Sequence, residues 1–213
     1  MESEQISIGP ECLAGELHWQ ADSLGMVVFA HGSGSSRGSP RNRHVASVLH
    51  GYHLGTLLFD LLTEAEAADR QKVFDITLLA SRLIRALDWL RPQSRFSGAR
   101  IGLFGASTGA AAAFRAGAQC PARISAIVSR GGRPDLAGDA LAQVQAPSLL
   151  IVGGDDVEVL RLNRQAMREL TCQKRLEVVP GASHLFEEPG TLDTVAHLAG
   201  VWFRNHLTGG AMP

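Results

Sequence analysis

The sequence predicts an α/β domain in which a mostly parallel central sheet is flanked by helices on both faces. Three observations carry that expectation. Continuous apolar runs of strand length, the pattern of strands buried on both sides, recur at Met26–Ala30, Thr56–Asp60, the run ending at Gly105, Ile124–Ser129 and Pro147–Val152. Segments of helical period separate several of these runs, and strand-helix alternation of this kind requires right-handed crossovers and hence parallel pairing. At 213 residues, with 45% hydrophobic and 19% charged, the chain can bury one good core, so 1–213 is expected to be a single domain.

Taken in order, Gln5–Gly9 and Gly15–Trp19 are short β-like runs around Pro10, and residues 1–25 are expected to form a hairpin on a sheet edge. After the strand at Met26 comes the glycine-rich His31-Gly-Ser-Gly-Ser-Ser-Arg-Gly38. Its spacing breaks the dinucleotide fingerprint and no Gly-Lys-Ser/Thr follows, so it is read as a loop that offers bare backbone N–H groups. Arg37, Arg41, Arg43 and His44 are expected on a solvated basic loop. Apolar positions Val73, Ile76, Ala80, Leu83, Leu87 and Leu90 predict an amphipathic helix over Gln71–Leu90, with its arginines on the other faces. The alanine-rich segment after Gly109, Val157–Leu170 and Leu192–Leu207 predict three more helices, Asp135–Val144 at most a short one, and Arg175–Val179 a last strand.

Composition excludes several classes of function. A formal net charge of -1 gives no field for nucleic acid, and no run approaches the roughly 18 apolar residues of a membrane span. Three widely spaced cysteines, an odd count, and an N-terminus without a basic start or apolar core point to the cytoplasm. No Cys-x-x-Cys is present, and neither a metal nor a cofactor is implied.

Chemistry concentrates where the strands are expected to end. The stretch Gly105-Ala-Ser-Thr-Gly109 sits between a strand and a helix, and a serine lifted off a strand end requires a strained backbone with flanking glycines. Ser107 is therefore the candidate nucleophile. A serine hydroxyl needs a base, and eight histidines compete. His18 precedes the main sheet, His44, His50 and His53 fall in the first crossover, and His197 and His206 lie on the last helix. His31 is read as a residue that shapes its own loop. His184 remains, in a turn between Pro180-Gly181 and Pro189-Gly190. The base needs an acid to fix its tautomer, and Asp155 or Asp156, after Val152-Gly-Gly, can serve; Asp156 is equally placed to cap the next helix. Asp60, at a strand end, could orient a histidine, although fixing a loop is the commoner role of such a residue. Arg130 and Arg133, at the rim of the same opening, could favour anionic leaving groups, although solvated loop charge is the commoner role of such residues.

From Met26 to Leu207 the sequence resembles the α/β-hydrolase superfamily, and within it the dienelactone-hydrolase-like group. The matching pieces are His31-Gly-Ser-Gly, Gly105-Ala-Ser-Thr-Gly109, Gly153-Gly-Asp-Asp156 and Gly181-Ala-Ser-His184-Leu-Phe, in the chain order serine, acid, histidine. The resemblance implies an α/β-hydrolase fold without a cap domain, with Ser107 as nucleophile, His184 as base and Asp156 as acid. It places the oxyanion on the backbone N–H groups of Ser33 and Thr108. Dienelactone hydrolase itself carries cysteine at the elbow; with serine here, ester chemistry is expected rather than lactone specificity. The expectation is a serine hydrolase of small carboxylic esters or thioesters. The alternatives are an acyltransferase using the same three residues and a non-catalytic binding protein on the same fold. Only Gly131–Ala146 separates the strand after the elbow helix from the next, which leaves no room for a lid there, and an open site with little apolar wall is expected to favour short acyl chains.

Overall fold

The computed structural model describes residues 3–208. Eight strands form one sheet: β1 (Glu4–Ile8), β2 (Leu13–His18), β3 (Gly25–Ala30), β4 (Leu54–Phe59), β5 (Arg100–Ala106), β6 (Ala126–Arg130), β7 (Ser148–Gly153) and β8 (Lys174–Val179). Their spatial order is β1-β2-β4-β3-β5-β6-β7-β8. All pairings from β4 across to β8 are parallel, while β2 runs antiparallel to β1 and β4, so the N-terminal hairpin forms the sheet edge. Strands β3, β4, β6 and β7 are buried at every position, which is why they read as unbroken apolar runs.

Helices α1 (Pro40–His50) and α7 (Thr191–Leu207) cover one face. On the other lie α4 (Ile76–Leu90), α5 (Thr108–Gln119) and α6 (Val157–Glu169). Neighbouring strand residues point to opposite cores: Val28 packs with Leu83 and Leu87 of α4, and Val27 with Val45 of α1 and Phe203 of α7. The alanines of α5, Ala110 to Ala113, are wholly buried. Their small size lets the helix press onto β5, where a Cβ on Gly105 would lie 2.4 Å from the Ala110 Cα.

Two sequence expectations change. The basic stretch is not a solvated loop: Pro40–His50 is helical, with Ser39 as N-cap accepting from the Asn42 N–H and proline at its start. Its buried stripe is only Asn42, Val45, Ala46 and Leu49, too short and too polar for its period to stand out. Arg41, Arg43 and His44 in it each have a carboxylate partner: Glu187, Glu16 and Asp193. The helix expected over Gln71–Leu90 is also broken. Glu64–Ala67 (α2) and Arg70–Val73 (α3) are single turns, and Asp75 caps a fresh start at Ile76 by accepting from the Leu78 N–H. Nor do all arginines of α4 face solvent: Arg82 is buried and paired with Glu66 and Glu11.

His18 of β2 and His50 of α1 stack with ring centroids 3.7 Å apart, and His50 Nε2 lies 2.9 Å from Thr56 Oγ1. Burial, then the neighbouring His18, push His50 down to about 4, and burial lowers His18 as well. An unfolded chain, with histidines near 6.5, binds more protons than the folded one between these values, so folding stability rises with pH there. Stability is therefore expected to fall as pH drops from about 6.5 toward 4, and His50→Gln is expected to flatten that fall. Urea midpoints at pH 8 and pH 5 measure it; an unchanged difference between the two in His50→Gln would count against the stacked pair as the cause.

Candidate active site

Ser107 joins β5 to α5 with φ 51 and ψ -122, a left-handed conformation that costs a non-glycine residue about 1–3 kcal/mol. Three backbone hydrogen bonds hold it there. Ser107 N–H donates to the Arg130 carbonyl at 3.2 Å, and the Ser107 carbonyl accepts from Arg133 N–H at 3.0 Å and from Ala110 N–H at 3.1 Å. Gly109 makes the turn possible, because a Cβ there would lie 2.2 Å from the Ala30 carbonyl oxygen and 2.5 Å from that of His31.

His184 and Asp156 meet directly, Nδ1 to Oδ2 at 2.6 Å. Asp156 occupies the N-cap position of α6 but makes no side-chain cap bond; its carboxylate is spent on the histidine. Asp155 is exposed, and its backbone N–H donates to the Ala182 carbonyl at 3.0 Å. The His184 ring stands over the end of β6, where a Cβ on Gly131 would be 3.6 Å from Nδ1. No hydrogen bond joins Ser107 to His184 here, a contact that in substrate-free sites often tightens only on binding. The other histidines have separate partners: His53 with Asp22, His197 with Tyr52, and His206 with the Trp202 carbonyl.

Ser33 and Thr108 also meet, since Ser33 N–H donates to Thr108 Oγ1 at 2.9 Å. The sequence names both residues but not this bond between them, which spans the two loops and is invisible to local pattern. Thr108 stands at the start of α5, where backbone N–H groups have no partner within the helix. His31 holds the loop beneath: Nε2 accepts from Leu61 N–H at 3.1 Å, which leaves the proton on Nδ1, 3.0 Å from the Gly32 carbonyl. Burial pushes this imidazole down despite that hydrogen bond and the nearby Asp60 charge. Asp60 does not reach a histidine. It accepts from Arg37 N–H at 2.7 Å and pairs with the Arg37 guanidinium, tying the glycine-rich loop to the end of β4. A residue that sequence reasoning missed is Glu188, which closes the His184 turn by accepting from Ser183 N–H at 3.0 Å and is held below the usual carboxylate range by that bond.

An open pocket of about 820 Å³ adjoins this cluster, lined by the glycine- and serine-rich loop from Gly32 and by charged residues such as Arg41, Asp60 and Glu64, together with Leu62, Val73 and Leu79. Gly32 touches the elbow, a Cβ on it lying 3.1 Å from that of Ser107. Its apolar part comes from Leu62 and Val73, between β4 and α4, and from Leu79 of α4. After β6, as expected, only a kinked 3-10 segment, Pro134–Gln143, intervenes.

A parallel sheet with a strained serine turn after its fifth strand, and a histidine-carboxylate pair over the same strand ends, is the arrangement of an α/β-hydrolase. The sequence model of the dienelactone hydrolase family matches residues 60–200, and the chain belongs to that family. The crystal structure of dienelactone hydrolase from Anabaena variabilis is 51% identical and superposes with a TM-score of 0.92 over 97% of each chain. Est1E from Butyrivibrio proteoclasticus shares the fold at a TM-score of 0.80 and 13% identity, over 97% of this chain and 99% of that one. A Mycobacterium tuberculosis protein named "Putative phosphoribosyl transferase" is 56% identical over 208 residues, which are 98% of this chain and 47% of that protein. The chain therefore spans about half the length of that relative. No described helix is long and apolar enough to cross a membrane.

Proposed function

We propose that this chain is a serine hydrolase that cleaves carboxylic esters or thioesters of small molecules through an acyl-enzyme. The observation that carries the reading is the His184–Asp156 pair set at the same strand ends as the strained Ser107 turn. Ser107 Oγ attacks the carbonyl carbon while its proton passes to His184 Nε2, the nitrogen left over once Nδ1–H is committed to Asp156. The oxyanion is accepted by the backbone N–H groups of Thr108 and Ser33, the substrate oxygen replacing the Thr108 hydroxyl as acceptor for Ser33. Collapse expels the alcohol or thiol, which takes the proton from Nε2, and a water activated by the same nitrogen then releases the acid. No metal or cofactor takes part in this scheme. The pocket beside Gly32 takes part of the substrate against Leu62, Val73 and Leu79, so burial continues beyond the first methylenes at about 0.8 kcal/mol for each one fully covered.

The name of the longer relative describes a whole protein of which this chain matches about half, and phosphoribosyl transfer is not proposed for it. A fluorophosphonate probe tests the hydrolase reading. Folded wild type is expected to be labelled at Ser107, and both Ser107→Ala and heat-denatured protein to remain unlabelled. Labelling at a different serine, or none on folded protein, would favour a binding role on the hydrolase fold.

A further inference from the structure

The segment between β4 and α4 lines the pocket beside Gly32 through Leu62, Ala67 of α2 and Val73 of α3. Neither α2 nor α3 has a buried residue, with Val73 partly packed against the core, and single turns of helix do not stand by themselves in water. Their position must come from ties to the body of the domain. The capping box of α2 is closed by Glu66, whose Oε2 accepts from the Thr63 N–H at 3.0 Å. The other oxygen of that carboxylate, Oε1, accepts from Nη2 of Arg82 on α4 at 2.8 Å.

Every other buried residue of α4 is apolar, and Arg82 is 6% exposed among them. An apolar residue of similar volume there would ordinarily be neutral or stabilising, so a buried cation calls for a use. Its guanidinium divides between two carboxylates from distant parts of the chain, Nη2 going to Glu66 and Nη1 to Glu11 in the turn between β1 and β2. Glu11 is held in turn by Arg85, whose Nη1 donates to its Oε2 at 2.6 Å. With the Glu66 side chain 16% exposed and that of Glu11 25%, these pairs are screened less than surface pairs are. Arg82 lies one turn along α4 from Leu79, which lines the pocket.

We propose that Arg82, acting through Glu66 and backed by Glu11 of the N-terminal hairpin, positions the α2–α3 wall of the pocket, and that this tie sets the preference of the enzyme for acyl chains long enough to reach the wall. Arg82 touches no substrate and is a positioning residue. The acyl side is the one concerned, because the leaving group must lie toward His184, which protonates it, and His184 does not line this pocket. The inference rests on the hydrolase reading, and its test separates the two. Wild type is expected to favour p-nitrophenyl hexanoate over p-nitrophenyl acetate by tenfold or more in kcat/KM. Arg82→Met and Glu66→Gln are each expected to lower that ratio about tenfold, the worth of roughly two buried methylenes. The loss is expected in KM for hexanoate, with kcat for acetate within about threefold of wild type. Glutamine serves equally in a capping box, so Glu66→Gln keeps α2 and breaks the tie alone. The losses are expected not to add in the double variant, since both remove one interaction.

Hydrogen exchange supplies an independent readout. Residues 63–74 are expected to exchange faster in Glu66→Gln than in wild type, while β3 and β5 keep their protection. Arg82→Met leaves two carboxylates without their partner, and Glu66→Gln carries the test where that variant does not fold. A wild type that does not distinguish the two esters would overturn the proposal, and intact labelling of Ser107 would leave the hydrolase reading standing. So would a Glu66→Gln that loses acetate and hexanoate turnover alike, because that is the signature of a purely structural ion pair, or one whose ester ratio is unchanged. If no ester is turned over and no probe reacts, the hydrolase reading fails and hexanoate itself decides the positioning. A Tm rise with millimolar hexanoate that is present in wild type and lost in Glu66→Gln upholds it, and equal responses overturn it.

Discussion

Asp156→Asn is expected to lower kcat for ester hydrolysis by about 10⁴, as loss of the orienting carboxylate does in serine proteases, while Asp155→Asn stays within about threefold of wild type. In the proposed mechanism the 2.6 Å contact between Asp156 Oδ2 and His184 Nδ1 holds the proton on Nδ1 and leaves Nε2 to take the one from Ser107. An asparagine in that place can offer its N–H₂ to Nδ1 and so favours the tautomer with the proton on Nε2, which cannot act as base. Folding is expected to change little, because the aspartate makes no cap bond to be lost and asparagine is an equally good residue at that position. Asp155 faces solvent and contributes its backbone to the fold, and its backbone is the same in either variant. Rates on p-nitrophenyl acetate, with urea midpoints as a check on folding, distinguish the two. The reverse ranking would mean that the turn after Gly154 rearranges in solution to bring Asp155 inward.

The parts of this site that were legible in the sequence are those carried by short spacings. Gly105 to Gly109 spells the elbow within five positions: Gly105 is demanded by Ala110 just beyond it, and Gly109, although its own contact is with the distant end of β3, falls in the same short spacing. Gly153-Gly-Asp-Asp156 and Gly181-Ala-Ser-His184 are equally local, and the order of the three pieces along the chain did the rest. Helix α1 was not legible because its buried face is four residues wide and includes Asn42, so hydrophobic period fails although Ser39-Pro40 marks its start. The break at Phe74-Asp75 escaped notice because Val73 continues the apolar spacing of α4 across a cap. What depends on distant partners could not be read at all. The Ser33–Thr108 bond spans 75 positions, and the burial of Arg130 arises only when β6 ends beneath two other elements. The strand order shows the same limit: nothing local tells β4 to lie between β2 and β3.

Gly109→Ala is expected to destabilise the protein by more than about 4 kcal/mol and to abolish activity with it, an effect at the far end of what single substitutions do. The added methyl would lie 2.2 Å from the Ala30 carbonyl oxygen, 2.7 Å from the Ala30 carbonyl carbon and 2.5 Å from the His31 carbonyl oxygen. None of these is the end of a side chain that could swing away. Ala30 ends β3, which is held by β5 on one side and β4 on the other, and α5 is itself packed against α4 and Pro134–Gln143, which oppose its retreat from the sheet. Any relief must therefore move the end of β3, and with it Gly32 and Ser33, away from Ser107. Gly34→Ala is the control. Gly34 has φ +68 and nothing within 4 Å of its missing Cβ, so alanine there pays only the left-handed backbone penalty of about 1–2 kcal/mol. Urea unfolding of both variants measures the contrast. A Gly109→Ala protein as stable as Gly34→Ala, and still reactive toward a fluorophosphonate, would show that α5 can slide along the sheet and that the elbow is not fixed by this contact.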